Sequence, residues 1–173
     1  MITIISGTNR PNSNTLKVAK HYAQLLEKQG VSAKLLSLEN LPENIAFSDV
    51  FHRRTENFQQ LLNEFIIPAE KFVFVAPEYN GSFPGILKVF LDAMPHDLNR
   101  DKKAGLIGTA GGRAGNLRGM DHLTDILHYL GIHVHPNKLP ISGITGLLDG
   151  EGKIRDEYTV RVLEKHVMDI IKY

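Results

Sequence analysis

The sequence of 173 residues contains no cysteine and no tryptophan. The absence of cysteine excludes disulfide bonds, thiolate zinc sites, iron–sulfur clusters and a catalytic cysteine. No apolar run approaches the roughly 20 residues that a membrane-spanning helix needs, so we expect no membrane partner. Neither sign of charge is in excess, because Lys and Arg total 20, Asp and Glu total 19, and the net charge is +1. A balance this close to zero gives no sign of a nucleic-acid partner.

The remaining composition is ordinary for a globular protein, with 42% hydrophobic and 23% charged residues. A chain of this length can build one domain around a sizeable core, and we expect a single domain over residues 1–173. The N-terminus has neither the charged region nor the small-residue cleavage site of a signal peptide. We therefore expect a cytoplasmic protein.

Apolar periodicity alternates along the chain between strand-like and helix-like segments. Short apolar segments predict five strands, at residues 2–6, 32–38, 71–76, 104–109 and 132–136. Longer segments with one apolar face predict five helices, at residues 14–29, 55–67, 84–94, 117–130 and 156–172. Because strands and helices alternate, the pattern predicts a parallel sheet with helices on both faces. The irregular residues 39–54 are expected to form a loop, and residues 140–155 a surface excursion.

The loop after the first predicted strand is rich in hydrogen-bond donors. Six of the nine residues 7–15 carry a hydroxyl or an amide, and Arg10 adds a guanidinium. The following helix would contribute free N–H groups and a partial positive charge at its N-terminus. This combination is typical of a phosphate site, although a polar turn in which Ser13 or Asn12 caps the helix is an equal alternative. The loop lacks the Walker A ending and the glycine fingerprint of dinucleotide sites.

Two further loops follow the third and fourth predicted strands. Residues 76–85 contain two prolines, two glycines and the aromatic Tyr79 and Phe83, and a rigid loop of this kind can present backbone groups to a flat heterocycle. Residues 109–116 contain three glycines, which allow close approach of the backbone to a ligand, and Arg113. Taken alone, each of these loops is better explained as an ordinary turn.

The three loops gain weight when they are considered together. In a doubly wound sheet of strand order 2-1-3-4-5, strands 1, 3 and 4 are neighbours, and ligands bind beyond their carboxyl ends. A phosphate-binding loop beside two loops lined by backbone groups suits a mononucleotide that carries a heterocycle. Flavin mononucleotide (FMN) meets that description.

The motifs resemble those of the NADPH-dependent FMN reductase family, a flavodoxin-like group that includes quinone, azo-dye and chromate reductases. The resemblance covers most of the chain, up to about residue 135, and it is most specific in the run PEYNGSFPGILK at residues 77–88. Residues 6–15 resemble the phosphate loop of the family, and residues 111–118 resemble a third loop that flanks the flavin ring. Residues 95–101 depart from the family pattern, and their role stays open. The resemblance implies an α/β protein with a flavodoxin-like, three-layer, doubly wound, five-stranded parallel sheet of order 2-1-3-4-5.

The resemblance also implies an activity. It implies one FMN per subunit, NADPH or NADH as hydride donor, and a small acceptor such as free flavin, a quinone, an azo compound or a metal oxyanion. It further implies a homodimer or homotetramer. The implied cofactor-binding residues lie in the three loops: Thr8, Arg10, Ser13, Asn14, Thr15, Pro77, Glu78, Tyr79, Asn80, Gly81, Thr109, Gly111, Gly112 and Arg113. Backbone groups of residues 78–81 are expected to contact the ring edge, and no side chain is expected to act as a catalytic residue.

Three other functions have recognisable signatures. A flavodoxin-type electron carrier or a regulatory flavoprotein would share the fold and FMN without NAD(P)H turnover, but carriers are usually strongly acidic and this chain is not. A serine hydrolase on a similar sheet would need a Gly-x-Ser-x-Gly elbow, which is absent. His133 and His135 would share a strand face, but no known metal-ligand spacing is present, and we expect no metal.

Overall fold

The computed structural model describes residues 1–51 and 53–173, which form a six-stranded sheet flanked by helices. The strands are β1 (Ile2–Ser6), β2 (Ala33–Ser37), β3 (Lys71–Pro77), β4 (Lys103–Thr109), β5 (His133–Val134) and β6 (Leu139–Ile141). The α-helices are α1 (Asn14–Lys28), α2 (Glu56–Leu61), α3 (Gly85–Ala93), α4 (Leu117–Tyr129), α5 (Ile144–Leu147) and α6 (Glu157–Lys172). A π-helical turn, Leu62–Ile66, continues α2.

The sheet is parallel, with the order β2-β1-β3-β4-β5. The central strand β3 holds the apolar residues 72–76, all of them buried, because helices cover both faces of the sheet. Its side chains alternate, so that Phe72 and Phe74 enter one core while Val73 and Val75 enter the other. These features confirm the predicted strand order, the three layers and the flavodoxin-like α/β class.

The fifth position of the sheet differs from the prediction of one strand over residues 132–136. Two short strands share this position: β5 pairs with the beginning of β4, and β6 pairs with its end. Pro136 lies between them and has no N–H group to donate to a ladder. The prediction of a surface excursion over residues 140–155 is therefore wrong at its start, because Ile141 is buried and pairs with Thr109.

Helices α1 and α6 cover one face of the sheet, and α2, α3 and α4 pack against the other. Both long helices of the first layer begin at a side-chain cap. Ser13 Oγ accepts the N–H of Leu16 at 3.1 Å, and Asp156 accepts the N–H of Thr159 at 2.7 Å. In the part of the chain that the structure describes, no helix is both long enough and apolar enough to cross a membrane.

Lysines at the amino ends of β3 and β4 bind carbonyl groups at, or just beyond, the ends of neighbouring helices. Lys71 Nζ donates to the carbonyl oxygens of Ile170 and Ile171 in α6, at 3.0 and 2.8 Å. Lys102 Nζ donates to the carbonyl oxygens of Ile66 and Ala69, at 2.7 and 2.5 Å. Since the last carbonyls of a helix lack intrahelical donors and carry partial negative charge, these cations stabilise the helix ends.

Candidate functional site

A cavity of about 400 Å³ lies beyond the carboxyl ends of β1, β3 and β4, and all three predicted loops contribute to it. This volume is within the range of small-molecule sites. Ten of the predicted site residues line the cavity: Thr8, Arg10, Ser13, Asn14, Thr15, Pro77, Glu78, Tyr79, Thr109 and Gly111. The other four lie next to lining residues but outside the lining itself: Asn80, Gly81, Gly112 and Arg113.

The first loop places helix-end donors and a cation on one side of the cavity. Asn14 and Thr15 are the first two residues of α1, so their N–H groups have no intrahelical acceptor. Ser13 caps the helix and also lines the cavity, so the two functions considered for this loop are compatible. Arg10 is the one cation among the described lining residues. This arrangement is suited to an anion such as a phosphate.

A buried hydroxyl pair connects the first loop to the end of β4. Oγ1 of Thr15 lies 3.0 Å from Oγ1 of Thr109, and these residues are 3% and 2% exposed. The pair therefore fixes the start of α1 relative to the third loop. Neither hydroxyl could be assigned this partner from the sequence, because the two positions are 94 residues apart.

The second loop turns sharply at residues 79–82. Tyr79 and Ser82 exchange two backbone hydrogen bonds of 2.8 and 3.0 Å, and Asn80 and Gly81 both adopt positive φ, of 51° and 77°. Such a two-residue turn favours Asn-Gly. The N–H of Glu78 already donates to the carbonyl of Thr109 at 2.9 Å. The N–H groups of Glu78 and Tyr79 are thus not available to a ring edge, which restricts the expected backbone donors to Asn80 and Gly81.

The N-terminal part of α4 supports the second loop, and the sequence analysis did not identify this support. Nδ2 of Asn116 donates to the carbonyl of Ala76 at 3.0 Å, and Ser82 Oγ lies 2.9 Å from Nδ1 of His122. A Cβ at Gly119 would overlap Oδ1 of Asn116 and lie 2.7 Å from the carbonyl carbon of Ser82, so only glycine allows α4 to approach the second loop this closely. A glycine inside a predicted helix was the available signal.

Residues 141–145 form a connecting segment that fixes the third loop. Gly143 N–H donates to the carbonyl of Gly112 and Ile144 N–H to that of Ala110, both at 3.1 Å. Ser142 Oγ donates to the carbonyl of Arg113 at 2.6 Å. These three bonds attach the glycine-rich loop to the connecting segment.

The connecting segment also supplies two lining residues that the sequence analysis missed, Ile144 and Thr145. The Thr145 hydroxyl lies 3.5 Å from Nδ2 of Asn14, at the N-terminus of α1. Pro11, Asn12 and Ala110, from within the predicted loops, complete the lining. The cavity therefore has a fourth wall, from α5, beside its three predicted loops.

A family model described as NADPH-dependent FMN reductase matches residues 1–146. The chain belongs to this family. Membership confirms the resemblance found in the motifs, and it makes the protein an oxidoreductase that uses FMN and NAD(P)H. An electron carrier without its own turnover is not favoured.

Two curated relatives have names that agree with membership of this family. An NAD(P)H-dependent FMN reductase of Pseudomonas aeruginosa is 27% identical over 167 residues, which are 94% of this chain and 89% of the relative. An FMN-dependent NADPH-azoreductase of Staphylococcus aureus is 32% identical over 112 residues, which are 63% of this chain and 60% of the relative.

Solved structures show the same fold at lower sequence identity. The flavoenzyme NAD(P)H:(acceptor) oxidoreductase FerB of Paracoccus denitrificans superposes with a TM-score of 0.83 at 24% identity, covering 99% of this chain and 95% of FerB. A flavodoxin from the domain Archaea superposes with a TM-score of 0.62 at 14% identity, covering 99% of this chain and 97% of the flavodoxin. The fold is thus shared by an oxidoreductase and a flavodoxin, so the fold alone does not decide the activity.

Proposed function

We propose that the protein transfers electrons from NAD(P)H to a small-molecule acceptor, and that FMN binds in the cavity at the carboxyl ends of β1, β3 and β4. The acceptor class is free flavin, a quinone, an azo compound or a metal oxyanion. The observation that supports the proposal is the convergence of an anion-binding helix end and two rigid loops on one space of about 400 Å³. With FMN bound, the site has a redox group that exchanges a hydride with a nicotinamide.

The first loop has the donor set that a phosphate monoester requires. Arg10 would pair with the phosphate charge, and the N–H groups of Asn14 and Thr15 would donate to its oxygens. The hydroxyls of Thr8 and Ser13 would add donors from the same loop. These residues already line one side of the cavity, which supports the proposal that the phosphate end of FMN binds there.

The second and third loops would hold the ring. Pro77, Glu78 and Tyr79 line one side of the cavity, and Thr109 and Gly111 line another. Neighbouring residues extend these two loops along the rim of the cavity, and we propose that they contact the ring edge or the second substrate: Asn80, Gly81, Gly112 and Arg113. The chain then binds and orients the reactants, and we assign no catalytic side chain.

The assembly, the domain organisation and the location of the protein are proposals as well. We propose a homodimer or homotetramer, and an apolar groove between α3 and α4 that includes Leu91, Ile126 and the exposed Tyr129 supports it. We propose that residues 1–173 act as one domain, because the two apolar cores lie on opposite faces of the same sheet. We also propose a cytoplasmic location for the protein.

The visible absorption spectrum of the purified protein tests the function directly. We expect added FMN to give a bound-flavin spectrum that NADPH or NADH bleaches and that oxygen restores. Failure to bind FMN at micromolar concentration would contradict the proposed site. Bound flavin that neither nucleotide reduces would instead indicate an electron carrier.

Steady-state rates with one acceptor from each class would then identify the second substrate. Rates with NADPH and NADH, compared at equal concentration, would show which nucleotide the site prefers. Light scattering of the same preparation would distinguish monomer, dimer and tetramer.

A further inference from the structure

The hydroxyl of Thr8 joins two of the loops that line the cavity. Thr8 is only 1% exposed, yet it belongs to the cavity lining. Its Oγ1 accepts the backbone N–H of Arg10 at 3.2 Å, within the first loop. The same oxygen lies 3.1 Å from the hydroxyl of Tyr79, in the second loop.

The hydrogen-bond capacity of Thr8 limits what this contact can be. A threonine hydroxyl has one proton to donate and two lone pairs that accept. One lone pair is used by Arg10, because a backbone N–H can only donate. The contact with Tyr79 therefore uses either the second lone pair or the only proton of Thr8.

The donor strength of the two groups favours one of these arrangements. A phenol is a stronger hydrogen-bond donor than an aliphatic hydroxyl, because its ring stabilises the partial negative charge on oxygen. Donation from Tyr79 satisfies both lone pairs of Thr8 and leaves its proton for a ligand oxygen. Donation from Thr8 would use that proton inside the protein and leave the Thr8 oxygen with nothing to offer an anion.

We propose that Tyr79 is a positioning residue that donates to Thr8 and thereby directs the Thr8 proton at the phosphate of FMN. The inference rests on the proposed FMN site and goes beyond it, because it assigns the discrimination between FMN and riboflavin in part to a residue of the ring loop. The two flavins share the ring and the ribityl chain, and they differ only in the phosphate. Loss of the Tyr79 hydroxyl should therefore weaken the binding of FMN and leave that of riboflavin unchanged.

The test compares the dissociation constants of FMN and riboflavin, measured by quenching of flavin fluorescence on titration with flavin-free protein. In Tyr79→Phe the ring remains and only the hydroxyl is lost. We expect FMN to bind about fivefold more weakly, as for one net hydrogen bond, with riboflavin within twofold of the wild type. Tyr158→Phe, a control at an exposed position of α6, should change neither constant.

A double-mutant cycle separates positioning from a general loosening of the loop. Thr8→Val removes the hydroxyl that Tyr79 is proposed to orient, so Tyr79→Phe should have no further effect on FMN in that background. Thr8→Ser keeps the hydroxyl and should restore sensitivity to Tyr79→Phe.

Three results would overturn the inference while leaving the FMN site intact. Unchanged or tighter FMN binding by Tyr79→Phe would show that the bond does not assist the phosphate or must break when FMN enters. Equal weakening of both flavins would place the effect at the ring. Additive effects in the cycle would mean that Tyr79 does not act through Thr8. Failure of the wild-type protein to bind FMN would instead refute the proposed function.

Discussion

The hydroxyl of Tyr22 in α1 lies 3.0 Å from Nδ1 of His166 in α6, and both side chains are buried beneath the sheet. The two rings meet edge to face, with centroids 5.7 Å apart. The ring of His135 approaches the same imidazole, at a centroid distance of 6.5 Å. Burial, and secondarily the charge of His135, lowers the pKa of His166 to about 4, against a weaker opposing effect of Asp169. The native protein therefore holds this histidine neutral.

This buried histidine predicts a loss of stability in mild acid. Between pH 6.5 and about 4 the unfolded chain binds a proton at His166 that the native chain does not, so the free energy of unfolding falls as the pH falls. The full effect is at most about 3 kcal/mol. Urea unfolding at pH 7 and pH 4.5 should show about 2 kcal/mol less acid destabilisation in His166→Asn, which keeps an acceptor near the position of Nδ1, than in the wild type. Equal acid losses in the two proteins would assign the effect to other groups.

Replacement of Arg10 by alanine should weaken FMN binding. A charge-assisted hydrogen bond to phosphate is worth about 1.5–3 kcal/mol, so the dissociation constant should rise about 10- to 150-fold. Riboflavin should bind the variant as it binds the wild type, because the lost partner is the phosphate. Arg161→Ala, at an exposed position of α6, is the matched control. An unchanged dissociation constant for FMN in Arg10→Ala would remove Arg10 from the site.

Lys102 should contribute to stability without contributing to flavin binding. Lys102→Met keeps an apolar stem near the ring of Phe72 and removes the ammonium that binds the carbonyls of Ile66 and Ala69. We expect urea unfolding to show a loss of about 1–2 kcal/mol, with an unchanged dissociation constant for FMN. Lys153→Met, which removes an exposed ion pair with Glu151, should cost less than half of that. Equal losses for the two variants would contradict the assigned role of Lys102.

Gly119→Ala should damage the flavin site although alanine is the better helix former. Alanine normally stabilises a helix interior by about 1 kcal/mol relative to glycine. Here its Cβ would overlap Oδ1 of Asn116 and lie 2.7 Å from the carbonyl carbon of Ser82, so it must displace Asn116, the second loop that Asn116 supports, or both. We expect FMN to bind more weakly and the protein to unfold at lower urea concentration. Gly85→Ala, where a Cβ meets no atom within 4 Å, is the control. Wild-type affinity in Gly119→Ala would show that the loop adapts at little cost.

Much of the fold and the core of the site could be predicted from the sequence because they depend on local patterns. The apolar run of β3 identifies the sheet centre, and the carboxyl ends of parallel strands bring the three loops together. The strand β6 could not be predicted, because three residues around Pro140 show no periodicity and their pairing with β4 is a tertiary contact. Thr145 was missed for the same reason, because β6 leads directly into α5, which carries Thr145 to the cavity.

The backbone donors of the second loop were predicted less well for a related reason. Glu78 loses its free N–H to Thr109, a partner on another strand that no local motif reveals. The sequence locates a loop near the ligand. Tertiary hydrogen bonds then decide which backbone N–H groups of that loop remain available to donate to the ligand.

The lysines that bind helix ends lie at the amino ends of β3 and β4, whereas the cavity opens at the carboxyl ends of the same strands. The lysine contacts that stabilise helix ends and the groups that line the cavity therefore belong to different residues, at opposite ends of the same strands. A substitution of these lysines that alters resistance to heat therefore leaves the lining of the cavity unchanged. For such substitutions, the usual trade-off between thermal stability and enzymatic activity is weaker.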